Sequence, residues 1–253
     1  MDEVLTHAFW VGLAKIIGVN IVLSGDNAVV IALAARSLPP KQQKQAIFWG
    51  AGAAIVLRII LTVFAVALLT FPWLKLVGAV LLLWIGVKLL IPEEEGENVD
   101  ASDSLIAAIK TILIADLVMS LDNVIAVAAA AGGSLTLLIL GLAISIPLVI
   151  FGATMLIKVM ERWPVIITLG AALLGFVAGE MAITDPAIGD WVMATFAHVD
   201  DKPVVAGISL ELVCGAIGAL FVWGVGTWLG RRKSAAAAPV PGEVRVPDSA
   251  PEQ

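Results

Sequence analysis

Residues 20–31 read N-I-V-L-S-G-D-N-A-V-V-I, and residues 116–127 read D-L-V-M-S-L-D-N-V-I-A-V. At an offset of 96 positions Ser24 matches Ser120, Asp26 matches Asp122 and Asn27 matches Asn123, while Asn20 falls on Asp116. Both stretches lie inside long apolar runs, so each places an ionisable side chain where a charge costs several kcal/mol unless it is paired or hydrated. A feature that expensive, present twice, organises the rest of the reading.

The surroundings identify the solvent. The chain has 253 residues, 60% hydrophobic and 14% charged, with a mean hydropathy of +1.02. A water-soluble domain of this length carries more charge, so the bilayer is the solvent. About 20 apolar residues cross the hydrocarbon core as a helix. Seven such runs cover residues 8–36, 44–70, 74–91, 104–131, 135–157, 164–183 and 204–229. The start, Met1-Asp2-Glu3, is acidic where a cleaved signal peptide is basic, so the first span is expected to be retained. The single Cys214 excludes a disulfide framework or a Cys-based metal site within one chain. The acidic balance of −6 comes from a few loops and offers nothing to nucleic acid.

Lys and Arg fall in alternate loops. Arg36, Lys41 and Lys44 follow span one, and Lys88 and Lys110 flank the third loop. Lys158 and Arg162 follow span five, and Arg231, Arg232 and Lys233 follow span seven. The positive-inside rule then puts the N-terminus outside and the C-terminus in the cytoplasm.

A second echo joins spans three and six: G-A-V-L-L from Gly78 parallels G-A-A-L-L from Gly170, which puts Lys88 on Glu180. Two echoes in the same order define a three-span unit repeated once. An odd number of spans inverts the second copy, as in secondary transporters whose sites lie at the repeat interface. The expected fold is therefore all-α: seven transmembrane helices, as two inverted three-helix repeats plus one extra C-terminal helix. Residues 1–91 form the first repeat, 92–103 an acidic cytoplasmic linker and 104–183 the second repeat. Residues 184–203 form an acidic outer segment along the membrane surface, 204–233 the seventh helix, and 234–253 a disordered Ala/Pro-rich cytoplasmic tail.

Lys15 and Lys88 lie within about two turns of span ends and are read as snorkelling to the interface. Asp26, Asp116, Asp122 and Arg58 are too deep for that. At 1.5 Å per residue from the cytoplasmic side, Asp26 and Asp116 come to roughly 15–17 Å, Arg58 to about 21 Å, and Asn20 and Asp122 to about 25 Å. Two tiers are expected, Asp26 with Asp116 and Asn20 with Asp122. On a straight helix Asn20, Ser24 and Asn27 share a stripe that Asp26 misses by about 120°. The same holds for Asp116, Ser120 and Asn123 against Asp122. Both helices are therefore expected to unwind, near Ser24–Gly25 and near Ser120–Leu121, freeing carbonyls toward a cavity.

Carboxylates, carboxamides, hydroxyls and carbonyls are hard oxygen donors suited to magnesium, calcium or manganese, ions between which they discriminate poorly. Asp26, Asn27, Asp122, Asn123, Asp116 and Asn20 are the candidate metal ligands, with Ser24 and Ser120 as secondary polar groups. Arg58 is the candidate counter-charge, and Glu180 or Glu211 a candidate coupling group; Glu211 is placed about 10 Å inside the outer end of span seven. The bland alternative is an ion-pair network that only holds helices together. Gly50-Ala51-Gly52-Ala53-Ala54 offers a small-residue face, read as internal packing ahead of a homo-oligomer contact.

The paired motifs S-G-D-N at Ser24–Asn27 and S-L-D-N at Ser120–Asn123 resemble the TerC family of bacterial membrane proteins, over roughly residues 8–229. That family is named for an association with tellurite resistance and is similar to the lysine-exporter superfamily. Its better understood members export manganese(II) from the cytoplasm. The resemblance implies Mn2+ efflux across a bacterial inner membrane, with Asp26, Asn27, Asp122 and Asn123 binding the ion. It implies no enzyme activity and no prosthetic group; the partners are the lipid bilayer and the transported ion. Two other readings stand beside it. One is export of a small organic solute such as an amino acid, held by Arg58. The other is an intramembrane aspartyl protease, which the missing first Gly of G-x-G-D and the following asparagines disfavour.

Overall fold

The computed structural model describes residues 7–23, 25–64, 68, 70–91, 101–132, 134–199 and 202–236. Nine helices and a small sheet are assigned among them. The first apolar run is two helices, α1 (His7–Leu23) and α2 (Gly25–Ala35), bent by 49° at a break that carries Gly25. The expected unwinding near Ser24–Gly25 is thus present, although Ser24 itself lies outside the described residues. A Cβ on Gly25 would meet nothing within 4 Å, so the residue supplies backbone freedom at the bend and not close packing.

Next come α3 (Pro40–Val63), α4 (Leu74–Leu90), α5 (Ala101–Ala131), α6 (Leu135–Arg162) and α7 (Val165–Ile183). Proline at the first position of α3 suits a site whose N–H has no intrahelical partner. Ser134 caps α6, its Oγ accepting from the Leu137 N–H at 3.3 Å. The chain then forms α8 (Pro186–Thr195), the strands β1 (Ala197–Val199), β2 (Lys202–Val205) and β3 (Ile208–Ser209), and α9 (Leu210–Ala236). Among the described residues five helices are long and apolar enough to cross a bilayer, six if α1 and α2 count as one broken span. At 17 residues, α4 reaches about 25 Å.

Three expectations are corrected. The fold is not purely helical: β1, β2 and β3 form an antiparallel sheet in the outer segment. Ala206 and Gly207 both take positive φ (51° and 80°), the conformation of a tight hairpin turn between β2 and β3. The last span consequently starts at Leu210 and not at residue 204. Finally, α5 runs unbroken through Ser120 and Leu121, so the predicted second unwinding does not occur. Leucine pays a left-handed or unwound backbone no favour, whereas Gly25 does. At the linker, residues 92–100 lie outside the described residues while 101–103 already belong to α5; of the expected tail, 237–253 lie outside them too.

Two packing features place the site. Helices α7 and α9 touch backbone to backbone: a Cβ on Gly179 would fall 2.0 Å from the Cys214 carbonyl oxygen, and one on Gly218 2.0 Å from that of Gly175. In lipid, where apolar burial drives little association, such small-residue crossings gain dispersion contact instead. The same block takes in α4, since Gly86 packs on Val222 and on the Ala171 carbonyl, and Gly226 on Leu90. On the other side, Gly50 of α3 seats Ile112 of α5, and Gly141 of α6 seats Ile16 of α1. Of the Gly50–Ala54 stretch, Gly50, Ala51 and Ala54 pack inward, while Gly52 is half-buried and Ala53 exposed.

Asp185 ties the outer ends together. Fully buried, its carboxylate accepts from the Ala187 N–H at 2.7 Å, capping α8, and from the Trp73 and Leu76 N–H groups at 2.9 and 3.0 Å, capping α4. Burial pushes its pKa up, but the backbone donors of Ala187, Leu76 and Trp73 outweigh it and hold the carboxyl below the usual carboxylate value. Trp73 sits at φ 71°, a strained conformation for a bulky residue that these bonds help to hold. Lys75 Nζ donates to Thr184 Oγ1 at 3.2 Å beside it. Exposed Lys15 and Lys88 fit the snorkelling reading, and Lys88 Nζ stands 5.4 Å from the Trp84 ring centroid.

Candidate cation site at the helix break

The polar groups inside the bundle are collected by one arginine. Arg58, on α3 and 3% exposed, donates from Nη2 to Asp116 Oδ1 at 2.5 Å, from Nη1 to Asn20 Oδ1 at 2.9 Å and from Nε to Ser120 Oγ at 3.0 Å. Ser120 in turn donates to Asp116 Oδ2 at 3.2 Å, one helical turn away on α5. Asn20, Asp116 and Ser120 are all buried. The guanidinium fork suits this work, since its planar donors can serve three acceptors at fixed angles. A buried charge needs a partner, and Arg58 and Asp116 supply each other's.

This geometry revises the two-tier expectation: Asn20 and Asp116 meet at one guanidinium. They are the pair matched at the 96-position offset in the sequence, and both accept from Arg58 of α3.

Asp26 and Asn27 open α2. Asp26 is half-buried, and its Oδ1 accepts the Asn27 N–H at 2.8 Å, in the first turn where the helix dipole favours negative charge. Asn27 is 3% exposed, and among the described residues neither its Oδ1 nor its Nδ2 has a hydrogen-bond partner. An orphaned buried amide costs about 1–3 kcal/mol, so it calls for an explanation. It lines a small cavity with Asn20, Arg58, Asp116, Ile31, Ala51, Ala54, Ile55 and Val149. The free space there is about 10 Å³, room for roughly one water or one dehydrated ion.

The second motif reaches the break in the first. Asn123 Nδ2 donates to the Leu23 carbonyl at 3.3 Å, a carbonyl freed where α1 ends. The Asp122 side chain lies outside the described residues. Among the described residues no three His, Cys, Asp or Glu side chains cluster as a metal site. The donors present are carboxamides, hydroxyls and carbonyls around Asp26 and Asp116, a set matched to a hard cation and not to zinc or copper.

The other candidates are placed elsewhere. Glu180 is half-buried on α7, one turn from its end at Ile183. Glu211 is the second residue of α9, in its first turn and not 10 Å deep, because β3 occupies the residues assumed to begin that span. Sequence reasoning missed Ser145 and Pro147 on α6. Ser145 is 2% exposed and donates to the Gly141 carbonyl at 2.9 Å. Pro147, inside the helix, cannot donate to the carbonyl four residues back. A proline in the middle of an apolar run was the available signal. Asn20 and Ser145 line a second, larger crevice of about 260 Å³ between the α1–α2 break and α6, with Gly25, Ala28, Val149, Gly152 and others.

Comparison with known proteins identifies the family. The profile of the Integral membrane protein TerC family matches residues 5–234. The membrane protein YjbE of Bacillus subtilis is 44% identical over 181 residues, 72% of this chain and 83% of that protein. YkoY of the same organism is 25% identical, over 89% of this chain and 71% of its own. The inner membrane protein YoaE of Escherichia coli is 25% identical over 69% of this chain and 37% of that protein. No solved structure matches. With a match across nearly the whole helical region and a relative this similar, the chain belongs to the TerC family of integral membrane proteins.

Proposed function

We propose that this protein exports a divalent metal cation, Mn2+ in first place, from the cytoplasm by alternating access around the site at the α1–α2 break. The observation that carries the reading is the orphaned Asn27 amide, buried in an ion-sized cavity beside Asn20, Asp116 and Arg58. A purely structural network satisfies its members, whereas here the buried Asn27 carboxamide stays open among the described residues.

In this reading Asp26, Asn27, Asp122 and Asn123 bind the ion. Asp116 and Asn20 join when Arg58 releases them. Arg58 neutralises Asp116 while no cation is present, and proton exchange on the remaining carboxylates couples ion release to the proton gradient. Seven spans in two inverted three-helix repeats plus α9 form the scaffold, with α4 as the third span. The N-terminus lies outside and the C-terminus in the cytoplasm. Placement in a bacterial inner membrane accords with the relative YoaE, an inner membrane protein of Escherichia coli. The reaction is transport and not catalysis, with no prosthetic group.

Export of a small organic solute is the second reading, and the roomier crevice of about 260 Å³ favours it. Its described polar lining is Asn20 and Ser145, short of the charged pair an amino acid needs. Purified protein in liposomes separates the two. Cation flux with a preference for Mn2+, lost in Asp26→Ala and Asn27→Ala, supports the first; amino-acid flux without cation flux overturns it.

A further inference from the structure

The helix break creates a hydrogen-bond demand that packing alone leaves unmet. Helix α2 is seated on α5 and α6, in one buried core with α3, so its direction is set by its neighbours. The backbone groups at the break still need partners, since hydrocarbon offers none. In a continuous helix the Leu23 carbonyl would accept from the Asn27 N–H, four residues on. Here each member of that pair has another partner. The Asn27 N–H donates to Asp26 Oδ1 at 2.8 Å, and the Leu23 carbonyl accepts from Asn123 Nδ2 at 3.3 Å, across 100 positions of sequence. One backbone bond is thus replaced by two side chains, the aspartate of the first motif and the asparagine of the second.

A carboxamide suits the second role, and a carboxylate does not. Helix α1 has no basic residue in its last turn, so the negative end of its dipole is left to an outside donor. An amide N–H supplies that donor without bringing a second acceptor against the carbonyl. The other copy of the motif has no such task. At the 96-position offset Leu23 and Asn27 match Met119 and Asn123, and α5 runs unbroken through both. The Met119 carbonyl therefore stays within its own helical ladder. Asn27 keeps its amide open at the small cavity, among the described residues. We infer that Asn123 is a positioning residue of the cation site: its side-chain N–H replaces the Asn27 N–H on the Leu23 carbonyl and pins the broken end of α1 to α5, which leaves the Asn27 amide for the ion. The two asparagines of the repeat so carry different roles. The inference rests on the transport reading above and refines it, because the Asn123 nitrogen serves the helix break and only its oxygen is left to an ion.

Solid-state NMR of the full chain in lipid bilayers reads the partner of the Leu23 carbonyl directly. The protein is isotopically labelled at leucine carbonyl carbons and asparagine nitrogens, and the Leu23 signal is assigned by its loss in Leu23→Ile. With Asn123 in the inferred role, a side-chain amide nitrogen dephases that carbonyl. Dephasing by a backbone nitrogen, that of Asn27 in a continuous helix, overturns the inference, and so does the absence of any dephasing. Cation flux in liposomes then separates donor from ligand. Asn123→Asp keeps oxygens for a cation but, as a carboxylate, brings no donor; it lowers flux at least about tenfold, in the range for groups that orient a metal ligand. Asn123→Gln keeps an N–H donor and retains more flux than Asn123→Asp. The reverse order makes Asn123 an ion ligand and overturns its positioning role. Absence of cation flux from the unmodified chain overturns the exporter reading instead, and the NMR contact still decides the part played by Asn123.

Discussion

Asn20 and Asp116, 96 positions apart and equivalent in the internal repeat, accept hydrogen bonds from the two terminal nitrogens of one guanidinium, that of Arg58. One residue type has changed between the copies, from carboxamide to carboxylate. The change supplies the negative charge that Arg58 needs in a buried place, while keeping an acceptor on both sides.

That pairing predicts a sharp asymmetry in stability. Arg58→Leu leaves the Asp116 carboxylate buried without its partner and costs about 3–5 kcal/mol. Adding Asp116→Leu recovers much of the loss, because both charges are then gone. Unfolding of the four proteins in one detergent measures the coupling, and additive costs would refute it.

Asn27 predicts the opposite profile. Among the described residues its amide has no hydrogen-bond partner to lose, so Asn27→Ala leaves stability unchanged or raises it, by up to about 1–3 kcal/mol. Cation flux in the same variant falls at least about tenfold if the amide is a ligand. Thermal unfolding alongside liposome flux separates the two effects; a large loss of stability with normal flux would make Asn27 a structural residue.

The Asp185 cap responds to pH with a definite sign. Its folded pKa lies below the ordinary carboxylate value, so the carboxylate stabilises the fold above the unfolded pKa of about 3.9. That contribution fades as pH falls through the folded value. Asp185→Ala removes the caps on α4 and α8 together, at about 1–3 kcal/mol near neutral pH. The gap in melting temperature between wild type and Asp185→Ala should be constant from pH 7 to 5 and shrink below about pH 4. A gap that widens in acid would reverse the assignment.

Close helix approach gives a steric prediction. Gly179→Ala drives a methyl group onto the Cys214 backbone carbonyl, 2.0 Å from the new Cβ, and should destabilise by about 1–3 kcal/mol. Gly52→Ala, with nothing within 4 Å of the new Cβ, should be neutral or stabilising. Unfolding of both variants in detergent checks the contrast.

Much of this was readable in the chain. Spans announce themselves because hydrocarbon tolerates only long apolar helices. The break at Gly25 was readable too, because one residue there has backbone freedom and its neighbours need to face a common point. The sheet formed by β1, β2 and β3 was missed although Ala206-Gly207 is a turn signal, since residues 204–209 lead straight into the apolar run and look like its beginning. Glu211 was misplaced by the same error.

The sequence by itself determined the solvent, the predominance of long apolar helices, the repeated Asp–Asn pair and the break at Gly25, all properties of local composition and spacing. Tertiary structure alone decided which polar groups meet. Asn20 and Asp116 share Arg58, Asn123 serves the Leu23 carbonyl, and Asp185 caps a helix that begins 111 positions before it. Depth along each helix is linear arithmetic, but rotation about its axis is set by neighbours packing into glycine notches, and only the assembled bundle fixes that. The continuity of α5 through Leu121 follows from the same cause. The second motif needed no bend of its own, because the bend in the first brought its Leu23 carbonyl to Asn123.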